Sequence, residues 1–363
     1  MTEKEYHALR VDRYSSIKLF LEDRKKYYSK YILRENNREK KTQSTLFGSL
    51  CDCLLFNPDD IDNRFVLSVA KKPTGQMGEL LDILWEKTLD CLSEDGIVTK
   101  GIESIVNDAF HEYAFDRKTG EKTAFLRPKK EVDDIIGELA SGKAGDWYRE
   151  KRQSADKDLI TQEDLDNANK VVEGLKANFA TREIVELYGD RITVLDQLVI
   201  LFEYRDTSLK SMLDRVVVDH DKKTIKPYDL KTTYNVEGFD YNYRSLKYYI
   251  QAATYDAALH SWREQEKLED YKIEPISFIV TDSTLYMNPL VYDIDEIDLE
   301  DAYNGYTYAG NYYRGLNQAL DDLKWHKETN IWNISAENFR NSGRRKIKRL
   351  GSISDEYQTD NNE

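Results

Sequence analysis

The chain has 363 residues, with 53 Lys and Arg against 67 Asp and Glu and a formal net charge of −14. That length can bury a large core, in one big domain or two modest ones. The charge argues against a uniformly basic nucleic-acid coat, although a local basic channel on an acidic body stays open, because partners also respond to the local field. Cys51, Cys53 and Cys91 are too few for a disulfide framework or a four-cysteine metal site, and Cys51-x-Cys53 reads as two buried small side chains.

The amino terminus, "MTEKEYHALR", is charged and lacks the apolar core of a signal peptide. No stretch approaches the ~18 apolar residues of a membrane span. A soluble, cytoplasmic protein with no membrane partner is expected. "RYSSIKLFLEDRKKYYSKYIL" carries apolar and aromatic residues at three- and four-residue spacings and predicts one amphipathic helix; "TLFGSLCDCLLF" predicts a second, closed by Pro58. Residues 79 to 187 read as mostly helical, and Thr161-Gln162-Glu163-Asp164 has the form of a helix-starting capping box.

The texture then turns β-branched. "RITVLDQLVILFEY", "KSMLDRVVVD" and "TIKPYDLKTT" predict strands, the last two joined by the turn "DHDKK". Pro227 suits the first residues of its strand better than the middle. "NYRSLKYYIQAATYDAALHSWREQ" predicts a helix, "PISFIVTD" and "LYMNPLVYDI" two more strands, and a long helix is expected from about Asp298 to His326. With no internal repeat, residues 1–335 read as a single domain: a mainly helical part over 1–187 and a sheet core with its last helix over 188–335. Residues 336–363 form a basic, then acidic, flexible tail. The expected class is α/β (α+β), a mixed central sheet flanked by helices, with a helical amino-terminal half.

Asp229 and Lys231 lie two apart on one strand and so project from one face, and Asp214 on the preceding strand can face the same side. Two carboxylates and an ammonium meeting there suit a hard cation such as magnesium, with the Leu230 carbonyl as a further ligand. Lys231 beside it can orient an attacking water and stabilise developing negative charge. The competing reading is a surface hairpin with scattered charges. On the following helix, Leu246, Tyr249, Ile250, Ala253 and Ala257 form an apolar face. Arg244, Lys247, Gln251 and Tyr255 form a polar row suited to a phosphate backbone.

Asp214, Asp229-Leu230-Lys231 and Gln251-Ala252-Ala253-Thr254-Tyr255 together resemble the PD-(D/E)xK nucleases of the RecB type with their QxxxY motif. Within that group the chain looks most like phage-type exonucleases related to RecE and, more distantly, lambda exonuclease. "YSSIKLFLEDRKKYY", "LFGSLCDCLLFNP", "GKAGDWYREKRQSADKDLITQEDLDNANK" and "LKWHKETNIWNIS" resemble further blocks of such proteins in the same order, over roughly residues 6 to 335. The resemblance implies a restriction-endonuclease-like fold and a magnesium- or manganese-dependent deoxyribonuclease that resects double-stranded DNA ends in recombination or repair. It also implies that such proteins form homo-oligomeric rings and work beside a single-strand annealing protein, in a bacterial host if phage-encoded.

The chain departs from the family twice. The GxxxH element, which supplies a His ligand, runs here from Gly48 to Asp52, and Asp52 takes the metal role by alignment. Where relatives carry an acid on the strand before Asp214 stands Gln197, with Glu203 as a substitute further along. An endonuclease of the same fold, or a catalytically silent DNA-binding or packaging scaffold, remain the alternatives. "GELASGKA" fails as a phosphate loop because Ala144 replaces the required hydroxyl, and the five histidines show no metal-ligand spacing. "GRRKIKR", residues 343 to 349, is either a solvated tail or an arm gripping phosphates.

Overall fold

The computed structural model describes residues 3–35, 42–91, 98–114, 131–154 and 157–345. Of the basic run "GRRKIKR" only Gly343, Arg344 and Arg345 fall among them, and the acidic end lies outside the described residues. The chain forms two compact units: one from residues 1–37, 55–57 and 171–363, the other from residues 38–54 and 58–170. Among the described residues no helix is long and apolar enough to cross a membrane.

The second unit is helical, apart from a short parallel pairing of Phe65–Leu67 with Asp158–Ile160. Helices Gly75–Asp90, Ile102–Ala114, Val132–Ser141 and Lys143–Gln153 bury Leu81, Leu84, Ile105, Ile135 and Trp147 against one another. Helix Gln43–Phe56 buries Cys51 and Cys53. Burial pushes the Cys51 thiol up to about 12, so it stays protonated and inert. Helix Gln162–Ala177 opens on the capping box: the Asp164 amide donates to Thr161 Oγ1 at 3.1 Å and the Thr161 amide to Asp164 Oδ2 at 2.9 Å.

The first unit holds the sheet. Helices α1 (Glu3–Ala8), α2 (Tyr14–Glu22) and α3 (Arg24–Tyr27) precede it. The single helix expected over 13–33 breaks at Asp23, whose extended backbone and carboxylate cap α3, and it ends in a π-helical turn over Tyr28–Leu33. Strands β1 (Ile192–Tyr204), β2 (Thr207–Asp219) and β3 (Thr224–Thr233) follow as antiparallel neighbours. Helices α4 (Phe239–Ser245) and α5 (Tyr248–Gln265) then lead to β4 (Lys272–Ile273), β5 (Ser277–Asp282) and β6 (Leu290–Asp293). The strand order is β1-β2-β3-β5-β6, with β4 beside the start of β3. β3 and β5 run parallel, while β6 returns antiparallel. This is the mixed sheet flanked by helices that the sequence predicts.

Its core joins the α5 face of the sheet (Val216, Val218, Ile225, Phe278, Val280) to Tyr249, Ile250 and Ala253 of α5. Burying each of the large side chains removes on the order of 2 kcal/mol of apolar exposure. The buried Lys210 of β2 donates to the carbonyls of Tyr6 and Leu9 at 2.6 and 2.7 Å, tying α1 to the sheet.

Three sequence expectations change here. Pro227 is the fourth residue of β3, not among its first, yet it costs no rung. The carbonyls of Lys223, Ile225 and Thr233 accept from the β4–β5 side, so the Pro227 nitrogen, of the same parity, also faces that side. It does so between the last β4 rung at Ile225 and the first β5 rung at Tyr228. The helix expected over 242–265 divides at Lys247, whose φ of 58° lies in the left-handed region. The helix expected from Asp298 to His326 is instead α6 (Glu296–Asn304), a hairpin of β7 (Tyr306–Tyr308) and β8 (Asn311–Tyr313), and α7 (Leu316–Thr329). Gly305, at φ 86°, ends α6, and its crowded α-carbon has no room for a side chain.

Candidate active site at a strand fork

The ladder between β2 and β3 runs from Asp219–Thr224 to Arg215–Tyr228 and stops there. One step further in the same register sets Asp214 opposite Asp229. The strands therefore part at a facing pair of carboxylates, an unfavourable juxtaposition for ordinary sheet pairing. On the other side of β2, Asp196 pairs with Arg215 and Leu198 with Leu213, so the register sets Gln197 opposite Asp214. The ladder skips that position, and Gln197 adopts a φ of 52°, uncommon for any residue but glycine.

The main-chain groups released by the fork are taken up locally, as buried backbone requires. The Leu230 amide donates to Asp214 Oδ2 at 2.9 Å, and the Met212 carbonyl accepts from the Tyr255 hydroxyl at 2.8 Å. In an extended strand the N–H and C=O of one residue point to the same side, so the Leu230 carbonyl also opens into the fork.

Asp229 is 1 % exposed. Lys231 Nζ donates to its Oδ2, and Gln251 Nε2 donates to its Oδ1 at 2.6 Å. The same Gln251 nitrogen donates to the Tyr255 hydroxyl at 2.9 Å. Gln251 and Tyr255 meet because they lie one turn apart on α5. The other amide atom of Gln251, Oε1, is buried without a hydrogen-bond partner. Reversing the amide would set that oxygen against the carboxylate, so the orientation follows from the charge of Asp229.

Burial alone would pull the Lys231 pKa down, but the neighbouring Asp229, Tyr248 and Asp214 outweigh it and hold the ammonium above the usual lysine range. The ammonium lies 4.8 Å from the Tyr248 ring centre and 5.8 Å from that of Phe278. Burial, then Asp229 and Asp214, push the Tyr255 phenol far above its ordinary value. Tyr14 on α2 rises likewise through burial, Tyr248 and Asp229, and its hydroxyl donates to the Leu246 carbonyl at 2.9 Å.

The structure thus brings Asp214, Asp229, Leu230, Lys231, Gln251 and Tyr255 to one place. The four-residue polar row expected on the helix does not form, because the break at Lys247 divides it. Gln251 and Tyr255 turn inward at 4 % and 7 % exposure. Arg244 pairs with Asp240 at 2.8 Å and stacks 4.2 Å from the Tyr308 ring centre, and Lys247 pairs with Glu22 at 3.2 Å. Glu203 cannot stand in for the absent acid: it lies six residues from Gln197, ~20 Å along β1 at ~3.4 Å per residue, and accepts from Ser208 instead. Asp52 belongs to the second unit. Among the described residues no three His, Cys, Asp or Glu side chains gather as a metal site.

Sequence reasoning missed Tyr14, Tyr248 and Phe278. For Tyr248 a signal was available, since it lies three residues before Gln251 and one helical turn away. No protein-family model and no curated protein matches the sequence. Among solved structures the chain is similar to a Eubacterium rectale protein provisionally named an exonuclease. The identity is 12 % and the TM-score 0.46, over 99 % of this chain and 98 % of that one.

Proposed function

We propose that the chain is a divalent-metal-dependent deoxyribonuclease that hydrolyses phosphodiester bonds, acting as an exonuclease on double-stranded DNA ends. One observation carries the reading: two carboxylates and a charged lysine share a strand fork, with main-chain groups of β3 turned into it.

The donor chemistry fits a hard cation. Asp214, Asp229 and the Leu230 carbonyl supply oxygens only, a sparse set that suits magnesium or manganese retaining water and meeting substrate phosphate. When bound, such an ion polarises a phosphoryl oxygen and acidifies a water. Lys231, held charged by its neighbours, donates to an attacking water or to a phosphoryl oxygen and cannot itself take up a proton. Gln251 positions Asp229, and Tyr255 braces the fork through Met212. Arg244 and Lys247 as DNA contacts, a homo-oligomeric state and a single-strand annealing partner belong to the same proposal through the family resemblance.

The test is end-labelled linear duplex and closed circular DNA incubated with magnesium or with chelator. The proposal expects magnesium-dependent loss of the linear substrate only, abolished by Lys231→Ala with DNA binding retained. Nicking of the circle would make the enzyme an endonuclease. Equal, negligible digestion by both proteins with binding retained would identify a silent scaffold.

A further inference from the structure

Beside the fork, the first unit exposes large aromatic side chains in a pattern the hydrolytic reading leaves unused. Tyr234 is 81 % exposed, Tyr241 68 % and Tyr286 89 %. They come from three separate segments, and all three segments are tied to Thr233, the last residue of β3. Tyr234 follows it directly. Asn242, next to Tyr241 on α4, donates to Thr233 Oγ1 at 3.1 Å. The amide of Ser283, which opens the loop bearing Tyr286, donates to the Thr233 carbonyl at 3.0 Å.

The supports of these rings are built. The Asp282 carboxylate, 2 % exposed, accepts from the amides of Thr284, Tyr286 and Met287 at 2.7 to 2.9 Å, which fixes the loop. Burial would raise its pKa, but those donors, together with the Thr284 hydroxyl, hold it below the usual carboxylate range. Asn235 Oδ1 accepts from the Gly238 amide at 3.1 Å and folds the chain back after Tyr234. A preordered loop loses less freedom when something binds to it. Thr233 lies two residues beyond Lys231, about 7 Å along the strand, so the segments that carry these rings are anchored next to the proposed reaction centre.

A hydroxylated ring left in water on a fixed support offers a flat, apolar face with a wet edge. The charges close by are mixed: Asp240 is paired with Arg244, and Glu237 is exposed. With no excess of positive charge there, contacts to a phosphate backbone contribute little, and what the rings themselves offer is sequence-tolerant stacking of bases. We infer that Tyr234, Tyr241 and Tyr286 form a stacking platform for unpaired bases of a nucleic-acid strand at the Asp214–Asp229–Lys231 fork. The inference deepens the nuclease proposal and rests on it for the strand's path, while the platform is measurable by itself.

The experiment uses the full chain in chelator, so that nothing is cleaved, and a fluorescent oligothymidylate as the probe. Stacking contributes a factor of about 5 to 150 per base. The triple variant Tyr234→Ala, Tyr241→Ala, Tyr286→Ala is therefore expected to lose tenfold or more in affinity at a wild-type melting temperature. Phe at the same three positions keeps affinity within about twofold, since the ring face remains. A folded Ala variant that binds as tightly as wild type overturns the platform, as would be seen if the rings cover a protein partner instead. Cleavage by wild type with magnesium, measured separately, tells the two proposals apart. Lost oligonucleotide binding in a protein that never cleaves leaves the platform and removes the nuclease; cleavage with unchanged binding does the reverse.

Discussion

Lys231 offers the most searching test of the fork. Its side chain is 17 % exposed and that of Asp229 2 %, so the ammonium is the main compensation for a carboxylate otherwise cut off from water. Removing one partner of a buried pair costs about 3–5 kcal/mol, because the other is left as an uncompensated charge. Gln251 continues to donate to Asp229 Oδ1, which places Lys231→Met near the lower end, at about 3 kcal/mol. Asp229→Asn is milder, about 2 kcal/mol, because the more exposed ammonium can turn to water. If the pair is the dominant interaction, the double variant should cost about 2 kcal/mol less than the sum of the singles. The assay is chemical denaturation of all four proteins in chelator, read as free energies from midpoints and slopes. A coupling below ~0.5 kcal/mol would refute the reasoning, since it would mean that the two groups are solvated independently.

Two further outcomes follow from strain and burial. Gln197→Gly and Gln197→Ala both lose the side chain's contacts, but only Gly escapes a left-handed penalty of ~1–2 kcal/mol, against ~0.5–1 kcal/mol of added chain entropy, so denaturation should show the Gly variant the more stable by roughly 0.5–1 kcal/mol. An Ala variant as stable as the Gly variant would show that the backbone there is unstrained. Tyr27, Tyr243 and Tyr255 are held neutral chiefly by burial, with pKa values above the unfolded ~10. Their contribution is complete below that pH and is lost as pH rises beyond it. Lys210 has the opposite sign: burial lowers it to about 8, so the folded state sheds a proton that the unfolded chain keeps up to ~10.4. Stability measured against pH should therefore rise gently above 8 and fall steeply above 10, with the buried tyrosines' share of the tyrosinate absorbance appearing only on unfolding; titration of every tyrosine in the folded protein would contradict this.

The meeting of Asp229 and Lys231 was legible because period-two spacing puts them on one face, whatever the rest of the chain does. The facing of Asp214 needed a register, and the turn "DHDKK" makes that register short-range. Other features depend on contacts distant in sequence. Gln251 and Tyr255 read as half of a polar row suited to a phosphate backbone; they are buried because Asp229 and the Met212 carbonyl offer partners for their polar atoms. The break at Lys247 carries no glycine or proline to announce it. The hairpin Tyr306–Tyr313 interrupts a pattern read as helical, although Gly305, Gly310 and Gly315 bracket it and were the available signal. Pro227 misled in the other direction, because a gap between two neighbouring strands hides the rung it cannot make.

The parting of β2 and β3 leaves ladder rungs unmade at a facing pair of acids. Both strands carry β-forming sequence past Arg215 and Tyr228, and nothing in their covalent geometry forbids them from zipping shut. Facing acids act as a wedge. Yet the same two carboxylates hold Lys231 charged, so neutralising both would remove the repulsion only by leaving a buried ammonium without its partners.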